Sequence, residues 1–159
     1  MSVNSIYSTA TGQNTEEICE GDIPAPMLGT SPQGGQPPYV FQWQSRTDVT
    51  AWGNIGGANA KDYTPSTPLL VTTYYRRVVR DSGVPVITDI SKEVTILVQP
   101  KIQDNDLSAY NEDICSGIQP NEIFATPPIP TGGTGTYTYY WEESVDNGTT
   151  WTLYPVLLQ

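Results

Sequence analysis

The clearest pattern in the chain is the alternation over residues 39–45. Tyr39, Phe41 and Trp43 fall on one side and Val40, Gln42 and Gln44 on the other. A period of two with one aromatic side and one mixed side marks a half-buried strand. The same pattern recurs in shorter pieces. Residues 18–20 predict a short edge strand, 27–30 and 52–55 two more, and 93–99 a closing strand. Residues 70–80 predict one long strand in which Tyr74 and Tyr75 both lay claim to the core. The turns between them are dictated by Gly and Pro over 31–38, 56–60, 64–68 and Ser82-Gly83. No run of ten or more residues combines helical periodicity with caps. The expectation is an all-β fold, two packed sheets with about seven strands.

The chain also resembles itself. Residues 16–21 (Glu-Glu-Ile-Cys-Glu-Gly) match 112–117 (Glu-Asp-Ile-Cys-Ser-Gly) at an offset of 96. Residues 34–43, from Gly34-Gly35 to Trp43, match 132–141, from Gly132-Gly133 to Trp141, at an offset of 98, and Trp52 pairs with Trp151 at 99. An offset that drifts by single residues is what insertions in surface turns produce. A period of this size is a whole immunoglobulin-sized domain rather than a solenoid repeat. The predicted organisation is Ig-like β-sandwich repeats in tandem, the second incomplete. Residues 1–14 are a linker or the tail of a preceding repeat, 15–101 repeat one, 102–110 a linker, and 111–159 the first half of repeat two. Gln159 corresponds to about Ala60, so repeat two lacks counterparts of the strands at 70–80 and 93–99. The strands around 137–143 are therefore expected to pack against another chain or the remainder of a longer protein. Residues 1–14 are candidates to add a strand in such an assembly.

Composition narrows the function. With 14 Gly and 14 Pro in 159 residues, turn formers exceed their average share of about 12 %. The 37 % hydrophobic content, with 10 Tyr and 4 Trp, is too apolar for a disordered chain. Seven basic against 17 acidic residues give a formal charge of −10. That balance disfavours nucleic acid and anionic membrane surfaces, both of which need clustered Lys and Arg. There is no histidine, which removes the commonest general base, Ser-His-Asp and Cys-His arrangements, and histidine metal sites. No apolar stretch approaches the roughly 20 residues that span a membrane. Residues 1–12 carry neither a charged n-region nor an apolar h-region, so an export address is expected to lie outside this sequence.

The candidate binding residues are few. Asp104, Asp106 and Asp113 concentrate oxygen ligands at the junction between repeats, the chemistry calcium prefers, although their spacing does not fit an EF-hand loop. The junction is either a calcium site, the one cofactor the sequence suggests, or a solvated linker. Trp43 and Trp141 sit mid-strand and are expected in the core. Trp52 and Trp151 follow polar turns and are candidates for ligand contact, as a platform on which a sugar stacks. The Tyr74-Tyr75-Arg76-Arg77 run reads as one core tyrosine with the arginines along the sheet surface, or as a contact face for polysaccharide or protein. Cys19 and Cys115 occupy equivalent positions in adjacent repeats. A domain length separates such positions, too far for a disulfide, so each is expected as a small apolar residue packed under an edge strand. No motif pairs carboxylates in a pocket, and no enzyme activity is expected.

The Gly-Gly-x-x-x-Tyr-x-aromatic-x-Trp element, the later Trp, and Thr72-Thr73-Tyr74-Tyr75-Arg76-Arg77-Val78-Val79 before Ser82-Gly83 resemble repeats of very large surface adhesins of gliding bacteria, the SprB-type, PKD-like repeat. The resemblance covers residues 18–98 and continues in the second copy to Trp151. It implies strings of Ig-like beads, exported by the type IX pathway, located at the cell surface, and serving attachment or gliding motility. The partners it implies are neighbouring repeats of the same array, or another chain completing repeat two, and surface polysaccharide. Similar repeats also decorate secreted enzymes, so a carbohydrate-binding or spacer module is the alternative. Many relatives carry a second Cys after the Ser-Gly turn. Here Val84-Pro85-Val86 stands in that place, so no intradomain disulfide carries over.

Overall fold

The computed structural model describes residues 4–107, 111–123 and 129–154. Its regular structure is entirely strand: β1 (Ile6–Ser8), β2 (Thr15–Cys19), β3 (Met27–Gly29), β4 (Val40–Thr47), β5 (Gly53–Asn54), β6 (Thr73–Arg80), β7 (Thr88–Ile90), β8 (Val94–Gln99), β9 (Glu142–Glu143) and β10 (Thr152–Leu153). The protein is an all-β sandwich. The larger sheet runs β2-β8-β6-β4-β5, with β7 also on β6. β2 lies parallel to β8 and the other pairings are antiparallel. β7 and β8 follow one another along the same edge of β6, facing 78–80 and 73–75 respectively. At the break Ser91 holds the ladder: its N–H donates to the Arg77 carbonyl at 3.0 Å and its hydroxyl accepts from the Arg77 N–H at 2.9 Å. The second layer is the antiparallel pair β1–β3, extended by a bridge between Met27 and Tyr63.

Alternation on β6 decides which residues lie between the layers. Thr73, Tyr75, Arg77 and Val79 are buried, whereas Tyr74, Arg76 and Arg80 remain half-buried or exposed on the outer side. Tyr75, not Tyr74, is the core tyrosine. It joins Ile6, Met27, Trp43, Ala58, Val94 and Ile96 in one apolar cluster. Each large side chain so buried contributes about 1.5–3 kcal/mol of transfer free energy. Trp43, fully covered, stacks at a tilt on Tyr63 with 5.6 Å between centroids and donates its indole N–H to the Ala60 carbonyl at 3.0 Å. Burial pushes the Tyr75 hydroxyl up to about 12, with the neighbouring Tyr63 adding to the effect.

Four expectations are corrected. Residues 4–14 are not a linker but carry a strand of the first sandwich. Ile6 is 1 % exposed in the core and β1 is paired along its length with β3, because an alternating Ile6-Tyr7-Ser8 has one face to bury. Arg77 does not lie on the sheet surface, since the choice of Tyr75 as the core residue carries Arg77 to the same face. Its guanidinium is 0 % exposed and donates to Asn4 Oδ1 at 3.0 and 2.7 Å, the Lys61 carbonyl at 2.7 Å and the Thr30 carbonyl at 2.8 Å. Burial lowers its pKa from the ordinary arginine value, and the charges of Asp62 and Asp89 oppose that shift. The long strand begins at Thr73, not at residue 70; Leu70 and Val71 are exposed. Finally, both cysteines are exposed. On β2 the buried position is Glu16, whose carboxylate takes the Ser8 hydroxyl and the Ala25 N–H, and Cys19 alternates outward with Thr15 and Glu17.

Residues 111–123 and 129–154 repeat several local hydrogen bonds of the first sandwich without its burial. Glu16 accepts from the N–H of Ala25 at 3.0 Å, and Glu112 accepts from the N–H of Asn121 at 2.9 Å. The Tyr39 hydroxyl donates to the Gly34 carbonyl at 2.7 Å, and the Tyr137 hydroxyl to the Gly132 carbonyl at 2.6 Å. Ile55 donates to the Trp43 carbonyl, and Tyr154 to the Trp141 carbonyl. Trp141 is nevertheless 40 % exposed where Trp43 is 0 %.

Candidate ligand-binding face

The outer side of the large sheet is assembled by the register of β4 and β6. Val40 lies opposite Arg80, Gln42 opposite Val78, Gln44 opposite Arg76, and Arg46 opposite Tyr74. The next strands continue the rows: Asn54 faces Gln44, Ile90 faces Val78 and Thr88 faces Arg80. Residues two apart share a face, so these side chains form a grid of guanidinium, amide and aliphatic groups, open to solvent around a buried Val78. Val40 and Ile90 are 61 % and 50 % exposed within it.

Two aromatic rings support the arginines. The Arg46 guanidinium lies 3.9 Å from the Tyr74 ring centroid and 5.2 Å from that of Trp52, and Arg76 lies 4.2 Å from Trp52. Such stacking holds a guanidinium in place while its N–H edges stay available. Arg46 uses one edge on Glu93 at 2.9 Å. Arg76 donates through Nε to Gln44 at 2.7 Å, and Gln44 in turn donates to Asn54 at 2.8 Å. The Tyr74 hydroxyl donates to Asp48, and that bond raises its pKa. Arg80 and Lys92 are exposed.

The charge distribution makes this face unusual. All seven Lys and Arg residues precede position 102. Arg76, Arg80 and Lys92 line two adjoining hollows of the outer face, which share Arg76, and Arg46 lies beside them over the Trp52 ring. A chain of net charge −10 thus gathers more than half of its cations on one sheet surface.

Of the residues singled out in the sequence, Trp52 belongs to this face. It serves as a support for Arg46 and Arg76, so a sugar stacking on the ring surfaces these guanidiniums cover would have to displace them. Trp151 stands on the β9–β10 hairpin, 59 % exposed, with its indole N–H donating to the Gly148 carbonyl at 3.2 Å. That hairpin is closed by Asp146, whose carboxylate is held down to about 2 first by the Thr150 hydroxyl and then by backbone N–H groups and Ser144. Asp104, Asp106 and Asp113 do not assemble: among the described residues no three Cys, Asp or Glu side chains converge as a cation requires. Asp104 sits at φ 61° and accepts from the Thr131 hydroxyl at 3.1 Å, while Gln103 bridges to Thr131, so the strand exit turns onto that residue. Residues 108–110, between Asp106 and Asp113, lie outside the described residues. Arg80, Lys92, Gln42, Gln44 and Asn54 were not singled out. The signal for Arg80 was the period of two on 74–80, legible once Tyr75 is assigned to the core, and that for Gln42 and Gln44 was the alternation on 39–45; Asn54 and Lys92 join the face only through strand pairing.

Among the described residues no helix is long and apolar enough to cross a membrane. A family model described as a domain of unknown function, DUF8696, matches residues 8–100, a span that contains β2 through β8 whole and the last residue of β1. No curated protein and no solved structure matches the sequence.

Proposed function

The chain belongs to the DUF8696 family of domains of unknown function, and on that premise we propose that it is a non-enzymatic repeat module of a secreted bacterial cell-surface adhesin or surface filament. Its work is attachment or gliding motility at the cell exterior, as the resemblance to SprB-type repeats implies. The observation that carries the reading is the recurrence of the local hydrogen bonds of residues 16–55 in 112–154, at nearly constant offset. A chain that writes the same bead twice is built for display in series. The path β8-β6-β4 follows the G, F and C strands of an immunoglobulin sheet, which supports the Ig-like assignment. In such an array the exposed Tyr139 and Trp141 are the inner face of a second bead whose covering strands come from elsewhere.

The module is tested on intact cells of the source organism. Antibodies raised against the chain should label unpermeabilised cells, and their Fab fragments should reduce attachment or gliding. Labelling that appears only after permeabilisation would refute the reading. The amide- and arginine-bearing face favours one second reading, a carbohydrate-binding module of a secreted multidomain enzyme. It predicts a catalytic domain in the same polypeptide as found in the cell.

A further inference from the structure

We infer that the outer face of the large sheet binds a carboxylated polysaccharide, with Arg76 and Arg80 as the groups that take its carboxylates. The inference deepens the adhesin reading and rests on it only for the biological setting. Three features of the face carry it. First, its cations are not consumed by the protein. Arg46 is paired with Glu93, but the terminal nitrogens of Arg76 and the side chains of Arg80 and Lys92 make no hydrogen bond or ion pair with any described residue. A planar guanidinium offers two parallel N–H donors that match a planar carboxylate, and the Trp52 ring already fixes that of Arg76 at 4.2 Å. Second, the spacing suits a polymer. Arg76 and Arg80 lie on the same side of β6, four residues apart, which is about 13 Å at roughly 3.3 Å per residue. The hollow between them is an open groove across β4, β6 and β7, not a closed pocket. Third, the floor is mixed. Val40 and Ile90 present aliphatic surface that suits the C–H faces of a sugar, beside Gln42 and Gln44, whose amide nitrogens are held by the Trp43 and Ile55 carbonyls and by Asn54. Nucleic acid is the poorer fit, because the aromatic rings of this face, Trp52 and Tyr74, are stacked by Arg46 and Arg76 and not offered as platforms for bases.

The test uses the full chain in affinity electrophoresis and calorimetry against polygalacturonate, dextran sulfate, neutral dextran and a single-stranded oligonucleotide. The expected result is binding to polygalacturonate that weakens as salt is raised through the physiological range, with none to neutral dextran. Arg76→Gln with Arg80→Gln should weaken it at least tenfold while circular dichroism stays unchanged. Because Arg76 also touches Gln44 and Trp52, Thr88→Glu is the independent variant. It places a carboxylate beside Arg80 on an exposed edge and should weaken binding to the same degree. No binding to polygalacturonate at low salt, binding unmoved by these variants, or equal or tighter binding of dextran sulfate or the oligonucleotide would each overturn the inference. Surface labelling of cells together with failure to bind polygalacturonate would leave the adhesin reading standing and this inference refuted.

Discussion

Trp43 and Trp141 occupy matching positions 98 residues apart, yet they should respond very differently to truncation. Trp43 is fully covered, its ring lies 5.6 Å from that of Tyr63, and its indole N–H is the donor to the Ala60 carbonyl. Trp43→Ala empties that space and leaves the carbonyl without its partner, which for a buried large aromatic costs about 3–5 kcal/mol. Against a domain stability of about 5–15 kcal/mol, such a loss removes a large fraction of the total. With a urea slope of about 1–3 kcal/mol per molar, the midpoint should fall by at least about 1 M. Trp141 is 40 % exposed, and the bond from Tyr154 to its carbonyl is made by backbone, so Trp141→Ala should cost less than about 1 kcal/mol. Far-UV circular dichroism is the suitable readout, since removing a tryptophan alters fluorescence directly. Trp43→Phe should fall between, keeping one aromatic ring while losing part of the indole volume and the hydrogen bond. Equal losses for Trp43→Ala and Trp141→Ala, or a loss below about 1 kcal/mol for Trp43→Ala, would refute the assignment of the core to the first sandwich.

Three further outcomes follow from packing and titration. Gly29→Ala should prevent stable folding, because its Cβ would stand 1.8 Å from Arg77 Nη1 and 2.8 Å from the Lys61 carbonyl; a thermal melt within a few degrees of wild type would contradict that placement. Asp81 accepts from the N–H groups of Ile87 and Gln36 and ties two turns together, which holds its carboxyl below the usual range. Its stabilisation is therefore present above the ordinary carboxylate pKa of about 3.9 and is lost as pH falls through the depressed native value, so Asp81→Asn should flatten the acid limb of the stability profile. Tyr75 has the opposite sign. Its native value of about 12 keeps its contribution intact below the ordinary tyrosine pKa of about 10 and loses it as pH rises through the native value, a decline that Tyr75→Phe should remove.

Much of the architecture was written in local pattern. A period of two over 39–45 and 93–99, turns fixed by Gly and Pro, and the absence of any helical period were enough for an all-β sandwich with Trp43 inside, because strand alternation and turn chemistry act over a few residues. The recurrence of Glu16-to-Ala25 geometry at Glu112-to-Asn121 was also foreshadowed, since similar sequences made the same local hydrogen bonds. Tertiary structure alone decided the register between strands and the identity of the inner face of β6. In a run such as Tyr74-Tyr75-Arg76-Arg77 either parity is locally consistent, and the choice was made by Met27, Ile6 and Trp43 offering a cavity to Tyr75. That one choice carried Arg77 inward to Asn4, Thr30 and Lys61, and Arg76 outward to Trp52. The segment before Thr15 joined the sandwich for the same reason: a three-residue strand has too little pattern to announce itself, and only the uncovered edge of β3 gave Ile6 a place to be buried. The cationic face is likewise a product of pairing, since no stretch of sequence places Arg46, Arg76, Arg80 and Lys92 together until β4, β6 and β7 are laid side by side.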